Sequence, residues 1–325
     1  MCTCFDLKTK GDYYFGRNLD LEYNFNQKVV VTPVNYEFKL KNGTSFKTKY
    51  ALIGMASTFE NYPLYAEASN TKGLSIAGLN FPGNAHYNDP IAGKINIASY
   101  ELIPWILGNM ETVDEVKNAI QNLNITNEKI TPNGGDSELH WIVCDINKSI
   151  VIEQEKDGLH VYDNKYGVLT NNPPFYFHNI NVNNYLNLTP GYAENRFSDK
   201  LDLKQYGQGM GALSLPGDVS PQSRFVKTVF NKFNAVTSDN ELENVSEFFH
   251  ILDSVSFVKG TVITKENRYD ITTYSCCIDV TKSIYYYKTY DNNQINAVRL
   301  TDELKNKDTI TIFELNTTQN INYMN

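Results

Sequence analysis

The chain has 325 residues, 41% of them hydrophobic, which allows a sizeable core and argues against disorder. Its net charge of −8 argues against nucleic-acid binding, because a phosphate-binding surface needs clustered Lys and Arg. No apolar run approaches the roughly 20 residues of a membrane span, and the beginning MCTCFDLKTKGD lacks an apolar signal segment. We therefore expect a cytoplasmic protein with no membrane partner and with reduced cysteines.

The first part of the chain is predicted to form strands. Strand patterns at 3–7 and 13–17 flank the turn Lys10-Gly11-Asp12, which indicates a hairpin. Further strands are predicted from β-branched and apolar runs at 28–32, 50–55 and 74–79.

Helices are expected next. The apolar stretch 95–107 predicts a helix that Pro104 should kink. Thr112 with Glu115 three residues later forms the pattern of a capping box before a second helix. Strands return in four short segments, at 140–145, 149–153, 159–162 and 166–169.

The last third repeats this order. Ser220-Pro221 has the cap and first-turn proline of a helix whose apolar stripe includes Phe225 and Val229. Another helix is predicted at 243–252. Four C-terminal strands are predicted, at 273–280, 284–290, 297–300 and 309–313.

The order of these elements favours an α+β fold. Helices come in pairs and do not follow every strand, which indicates antiparallel sheets with helices on their outer faces and argues against a doubly wound parallel sheet. No repeat, low-complexity block or linker divides the chain. We expect residues 1–325 to form one domain.

Cys2 follows the initiator methionine directly. Loss of Met1 would leave a thiol and a free α-amine on one Cα, and the α-amine titrates near ~8, close to a thiol at ~8.5. The amine can therefore take the thiol proton, so Cys2 is a candidate nucleophile that needs no histidine. Cys2-Thr3-Cys4 and Cys276-Cys277 have no zinc spacing, so neither a metal nor a cofactor is expected.

Four polar residues are candidates for supporting Cys2. Arg17 ends the strand predicted to pair with that of Cys2 and would favour a thiolate, while Asp20 could hold the α-ammonium. An exposed ion pair in a turn is the alternative. Asn171 could donate to an oxyanion, or serve as an ordinary turn residue. Arg224 lies in the first turns of a helix, where its charge opposes the helix dipole, so a local role does not explain it.

Seven segments together resemble the choloylglycine hydrolase family, which contains conjugated bile salt hydrolases and penicillin V acylases. They run in family order along nearly the whole chain: MCTC, FGRNLDLEYNFN, NTKGLSIAGLNFPG, GVLTNNPPF, YGQGMGALSLPGDVSPQSRF, EFFHILDSVSFVKG and YYYKTYDNNQINAV. The resemblance implies an N-terminal nucleophile (Ntn) hydrolase with a four-layer αββα sandwich, and an assembly that is usually a homotetramer.

The resemblance also assigns roles. Cys2 matches the nucleophile, Arg17 and Asp20 match its supporting pair, Asn171 matches the oxyanion donor and Arg224 matches a second active-site arginine. Asn80 matches the position whose backbone helps to form the oxyanion hole, and Asn there is typical of bile salt hydrolases where penicillin V acylases carry Tyr. The substrate pocket is expected near Leu19, Phe59, Ala66 and Phe81, for which core packing is the alternative.

The implied activity is hydrolysis of the amide that links a bile acid to glycine or taurine. A penicillin V acylase or an acyl-homoserine-lactone acylase on the same scaffold is one alternative. A steroid-binding homologue that keeps Met1 is another. A Cys–His protease is disfavoured, since the five histidines lie apart from the cysteines in the sequence.

Overall fold

The structure is a computed structural model that describes residues 1–129 and 137–325. Its strands, numbered in chain order, are β1 (Cys2–Lys8), β2 (Tyr13–Leu21), β3 (Lys28–Thr32), β4 (Glu37–Lys39), β5 (Ser45–Lys47), β6 (Leu52–Phe59), β7 (Tyr62–Asn70), β8 (Ser75–Asn80), β9 (Ile95–Ala98), β10 (Leu123–Thr126), β11 (Leu139–Cys144), β12 (Ser149–Glu155), β13 (Gly158–Asp163), β14 (Val168–Leu169), β15 (Ile271–Asp279), β16 (Ile284–Thr289), β17 (Asn292–Arg299) and β18 (Thr311–Phe313). Its helices are α1 (Leu102–Asn109), α2 (Val113–Ala119), α3 (Phe175–Asn181), α4 (Pro221–Asn234), α5 (Glu241–Asp253) and α6 (Asp302–Lys305).

Two large sheets dominate the fold. One has the strand order β14-β1-β2-β15-β16-β17 and the other β13-β12-β11-β8-β7-β6-β3-β18. Neighbouring strands are antiparallel throughout both sheets. Two small two-stranded sheets, β9 with β10 and β4 with β5, complete the described strands.

Helices cover the outer face of each large sheet. Helices α4 and α5 pack against the six-stranded sheet, and α1 packs against β7 and β8 of the eight-stranded sheet. One apolar core lies between the two sheets and continues under α4 and α5, while a second fills the space beneath α1 and α2. The layers are therefore helix, sheet, sheet, helix, which confirms the predicted α+β class and its αββα order.

The predicted N-terminal hairpin is present and sets the geometry of the site. Cys2 lies opposite Leu19, and Cys4 lies opposite Arg17, so all four side chains share the face that looks toward the second sheet. Gly16, beside Arg17, allows close approach of the neighbouring strand, since a Cβ there would come within 2.0 Å of the Cys276 carbonyl oxygen.

Some other predicted elements agree only in part with the structure. The helix expected over 95–107 is wrong at its start, because Ile95–Ala98 forms β9 and pairs in parallel with β10. Helix α1 begins only at Leu102, so Pro104 falls in its first turn, where no intrahelical N–H bond is lost. Thr112 does cap α2 by accepting a hydrogen bond from the Glu115 amide at 3.2 Å. No helix in the described ranges has the length and apolar character needed to cross a bilayer.

Candidate active site

Cys2 begins β1 and is buried, yet it lines a cavity of about 270 Å³. With Met1 in place, its nitrogen is a peptide nitrogen, and it donates a hydrogen bond to Asn171 Oδ1 at 2.8 Å. This nitrogen becomes the α-amine when Met1 is removed. A hydrogen-bond acceptor therefore already faces the future amine from a loop 169 residues further along the chain.

Met1 is held by polar groups on both sides. Its carbonyl oxygen accepts a hydrogen bond from the Asp20 amide at 2.8 Å, and its ammonium group donates to the Asp20 carbonyl. The ammonium also lies 3.5 Å from Asp270 Oδ2. Sequence reasoning missed Asp270, because it lies in an ordinary polar stretch.

Arg17 is fully buried between the sheets. Its Nη1 donates to the carbonyl oxygens of Gly78 at 2.6 Å and Ala66 at 3.1 Å, both in the second sheet. Burial disfavours its charge, but the acidic groups of Cys2, Tyr274 and Glu67 outweigh burial and raise the pKa of Arg17. Arg17 is therefore a permanent cation beside the thiol, and the exposed-pair alternative is wrong.

Asp20 is a second fully buried charged group at this point. Its Oδ1 accepts a hydrogen bond from Thr272 Oγ1 at 2.6 Å, while Oδ2 lies 4.0 Å from Arg224 Nη1. Among the described residues, Oδ2 has no hydrogen-bond donor. Burial raises the pKa of Asp20, and Arg224 and the N-terminal ammonium act against that rise.

Asn171 and Arg224 meet at the Cys2 backbone. Asn171 Oδ1 accepts from Arg224 Nη2 at 2.8 Å as well as from Cys2, and its Nδ2 donates to the Asn80 carbonyl at 2.8 Å. An amide NH₂ carries two hydrogens, so one N–H of Asn171 remains for another acceptor.

Arg224 reaches the site from the first turn of α4. Its Nη1 donates to the Cys2 carbonyl and, at 2.6 Å, to Thr3 Oγ1, while Nε donates to the Val219 carbonyl. Burial lowers the pKa of Arg224, and Asp20 and Cys2 oppose this effect. These contacts explain why a cation occupies the unfavourable end of a helix.

Two buried histidines support the asparagine loop, and sequence reasoning missed both. His178 donates from Nε2 to the Asn171 carbonyl at 2.9 Å, and burial lowers its pKa to about 4 despite that bond. His140 donates from Nε2 to the Thr170 carbonyl at 3.0 Å, and its Nδ1 lies 2.8 Å from Glu153. Both rings donate hydrogen bonds to backbone carbonyl oxygens of the asparagine loop. Neither ring is therefore arranged as a base for the thiol.

The cavity beside Cys2 has a largely apolar wall. Leu19 and Ala66, two of the four residues predicted to lie near the substrate pocket, line this cavity. Sequence reasoning did not identify several further apolar residues that line it, namely Leu64, Ile103, Leu139 and Trp141. Their side chains come from β7, α1 and β11, so only the folded sheet and its covering helix bring them together.

The other two predicted pocket residues lie elsewhere. Phe59 ends β6, is 39% exposed and borders a different surface groove with Tyr36 and Tyr62. Phe81 is fully buried and stacks on His140 with ring centroids 4.3 Å apart. Neither belongs to the described lining of the Cys2 cavity. Core packing, the alternative given for Phe81, is therefore correct, and the assignment of Phe59 to the pocket is not supported.

The other four cysteines do not share the surroundings of Cys2. They are fully buried, and burial raises the pKa of each thiol: Cys4, Cys144, Cys276 and Cys277. A thiol that stays protonated is a poor nucleophile. Cys2 is thus the cysteine best placed to react with a molecule in the cavity.

Known proteins resemble this chain over its whole length. A curated bile salt hydrolase/transferase of Lactiplantibacillus plantarum is 47% identical over 303 residues, 93% of each chain. A curated bile salt hydrolase/transferase of Clostridium perfringens is 43% identical, with 100% of both chains covered. The crystal structure of the C2A mutant of conjugated bile acid hydrolase from Clostridium perfringens superposes with a TM-score of 0.92 at 42% identity, covering 100% of each chain.

The family itself follows from a match to its sequence profile. The profile of the linear amide C–N hydrolases, choloylglycine hydrolase family, matches residues 2–313. Its first matched residue is the cysteine that lines the cavity, and its last lies in β18. The fold is that of the Ntn hydrolases, and the chain belongs to the choloylglycine hydrolase family of amidohydrolases.

Proposed function

We propose that this protein, once Met1 is removed, hydrolyses the amide bond between a bile acid and glycine or taurine. The observation that carries the proposal is the 2.8 Å hydrogen bond between the Cys2 nitrogen and Asn171 Oδ1, at the edge of a cavity with apolar walls. A steroid body requires such a cavity, with few polar contacts. The two curated relatives described above are named bile salt hydrolase/transferases, which supports bile salts as the substrate class.

The reaction begins with a proton transfer inside Cys2. The free α-amine accepts the thiol proton, and the thiolate attacks the amide carbonyl carbon of the substrate. Arg17 favours the thiolate by its charge. Asp20, through Oδ2, and Asn171, through Oδ1, orient the α-ammonium that results.

Attack converts the carbonyl oxygen into an oxyanion. The remaining N–H of Asn171 and the backbone at Asn80 are proposed to donate hydrogen bonds to it. Arg224 fixes Asn171 through the 2.8 Å bond to Oδ1. Because this donor is held before the substrate arrives, it needs no rearrangement as charge develops.

Collapse of the intermediate breaks the C–N bond. The α-ammonium gives its proton to the departing glycine or taurine nitrogen, leaving a thioester between the bile acid and Cys2. Water, deprotonated by the regenerated α-amine, then attacks the thioester and releases the free bile acid.

Purified mature protein tested on glycocholate, taurocholate and penicillin V is the direct test, with intact mass recorded to verify loss of Met1. We expect both bile conjugates to be hydrolysed far faster than penicillin V, and Cys2→Ala to abolish activity. Preferential turnover of penicillin V would support an acylase of the other branch. Binding of bile acids without turnover by a chain that keeps Met1 would support a steroid-binding role.

We also propose that the protein is a homotetramer in the cytoplasm. The segment between α3 and α4 exposes several large apolar side chains, including Leu186 (86%), Phe197 (82%) and Tyr206 (89%). We expect side chains of this kind to be covered at the subunit interfaces of the assembly. All five cysteines are free, which suits a reducing compartment. Analytical ultracentrifugation should give four times the 37.0 kDa chain mass, and a monomer would reject the assembly.

A further inference from the structure

Glu67 is a fully buried carboxylate that the mechanism above does not use. It lies on β7 and faces the six-stranded sheet, where Tyr274 donates to Oε2 at 2.7 Å and Tyr285 donates to Oε1 at 2.6 Å. Cys276 Sγ is a weaker donor at 3.5 Å from Oε1. Burial raises the pKa of Glu67, while Arg17 and these three hydrogen bonds favour its ionised form.

Arg17 is the cation closest to this carboxylate, with Nη1 3.7 Å from Oε2. That separation exceeds a hydrogen bond, and Nη1 instead donates to the carbonyls of Gly78 and Ala66. The backbone of the second sheet therefore holds the guanidinium in place. Glu67 adds a negative charge beside it and does not determine its position.

The same guanidinium interacts with the nucleophile. Arg17 and Cys2 both line the cavity, and Cys2 is the acidic group with the largest charge interaction with Arg17. The charged or titratable groups that face Glu67 are Arg17 from β2, Cys4 from β1, Tyr274 and Cys276 from β15 and Tyr285 from β16. Within the described residues, Arg17 is the one cation in that set.

We propose that Glu67 acts on the nucleophile through the charge of Arg17: its carboxylate offsets part of the guanidinium charge and keeps the Cys2 thiolate basic enough to attack an amide. This inference rests on Cys2 being the nucleophile of the proposed function. It assigns a role to a carboxylate that lies across the sheet interface from the reacting atoms.

Partial neutralisation benefits amide cleavage for two reasons. An uncompensated buried cation would lower the thiol pKa, and thiolate nucleophilicity falls with pKa with a Brønsted slope of about 0.4–0.5. The tetrahedral intermediate also expels its better leaving group. A thiolate of very low basicity would leave in preference to the amine, returning the intermediate to substrate. Glu67 limits both effects.

The test is Glu67→Gln in the mature protein, with Glu67→Asp as the variant that retains the charge. The thiol titration of Cys2 is measured as the rate of iodoacetamide alkylation against pH, with mass-spectrometric mapping to separate Cys2 from the buried cysteines. Glu101→Gln is the matched control, because Glu101 is also a buried carboxylate but accepts from the backbone amides of Ala98 and Lys41.

We expect Glu67→Gln to move the Cys2 titration down by roughly 0.5–1 pH unit. The optimum of kcat/KM for glycocholate should move the same way, and its maximum should fall by about 1.6- to 3-fold through the lower nucleophilicity of the thiolate. Glu67→Asp and Glu101→Gln should titrate like the wild type. An unchanged or raised Cys2 titration in a folded Glu67→Gln protein would overturn the inference while leaving the proposed function intact. Hydrolysis of glycocholate by Cys2→Ala would reject Cys2 as the nucleophile, and the absence of hydrolysis by the mature wild type would reject the proposed function.

Discussion

Replacement of Asn171 by Asp tests the oxyanion donor without changing the shape of the side chain. An aspartate keeps an oxygen for the Cys2 nitrogen and for Arg224 Nη2, both 2.8 Å from Asn171 Oδ1. It loses the N–H that is proposed to donate to the oxyanion, and it loses the bond to the Asn80 carbonyl. Loss of one oxyanion donor costs about 10²–10³ in kcat, which corresponds to about 2.7–4 kcal/mol.

The effect is measured as kcat on glycocholate, with urea unfolding to verify the fold. We expect a fall of at least about 10² in kcat. The variant should still fold because the contact with Arg224 remains, with some loss of stability because the new carboxylate oxygen faces the Asn80 carbonyl. Asn172→Asp is the matched control: the neighbouring amide donates to the Pro82 carbonyl at 2.6 Å and has no contact with Cys2. If Asn171→Asp retained as much activity as Asn172→Asp, Asn171 would not be the donor.

Two further predictions concern the cavity and the response to acid. Leu64 is half-buried in the cavity wall. Leu64→Gln should raise KM for glycocholate about tenfold through lost apolar burial and leave the rate of Cys2 alkylation unchanged. An unaltered KM would exclude Leu64 from the substrate site. His178 has its pKa lowered to about 4 by burial, so below pH ~6.5 the unfolded chain binds a proton that the folded chain does not. The free energy of unfolding should therefore fall by up to about 3 kcal/mol as the pH drops from ~6.5 to ~4. Urea unfolding of His178→Gln should show a smaller fall over the same pH range. An equal fall in both proteins would assign the loss of stability in acid to other groups.

Local patterns in the sequence were sufficient to predict the part of the site that the N-terminal hairpin forms. The hairpin of β1 and β2 forms between neighbouring segments, so its turn and strand periodicity predicted that Arg17 would lie beside the N-terminal strand. Asn171 and Arg224 could be proposed as polar residues at element ends, but their convergence on Cys2 required the family resemblance. The roles of all these residues remain predictions that the variants above test.

Long-range pairing explains what sequence reasoning missed. Ile95–Ala98 forms a strand because it pairs with Leu123–Thr126, and no pattern within the segment itself records that partner. Strand β7 (Tyr62–Asn70) was missed as well; it contains Pro63 near its start, and its pairing with β6 is interrupted by a bulge. Glu67 lies on that strand, so its contacts with β15 and β16 depend on the packing of one sheet on the other.

The central claim is that the free α-amine of Cys2 serves as the base for its own thiol. It is tested most directly by comparing two preparations released from a cleavable fusion, one that begins at Cys2 and one with a single glycine before it. We expect hydrolysis of glycocholate by the first preparation and a loss of at least about 10² in kcat/KM for the second, because its Cys2 nitrogen is an amide. Equal activity in the two preparations, with intact masses verified, would contradict it.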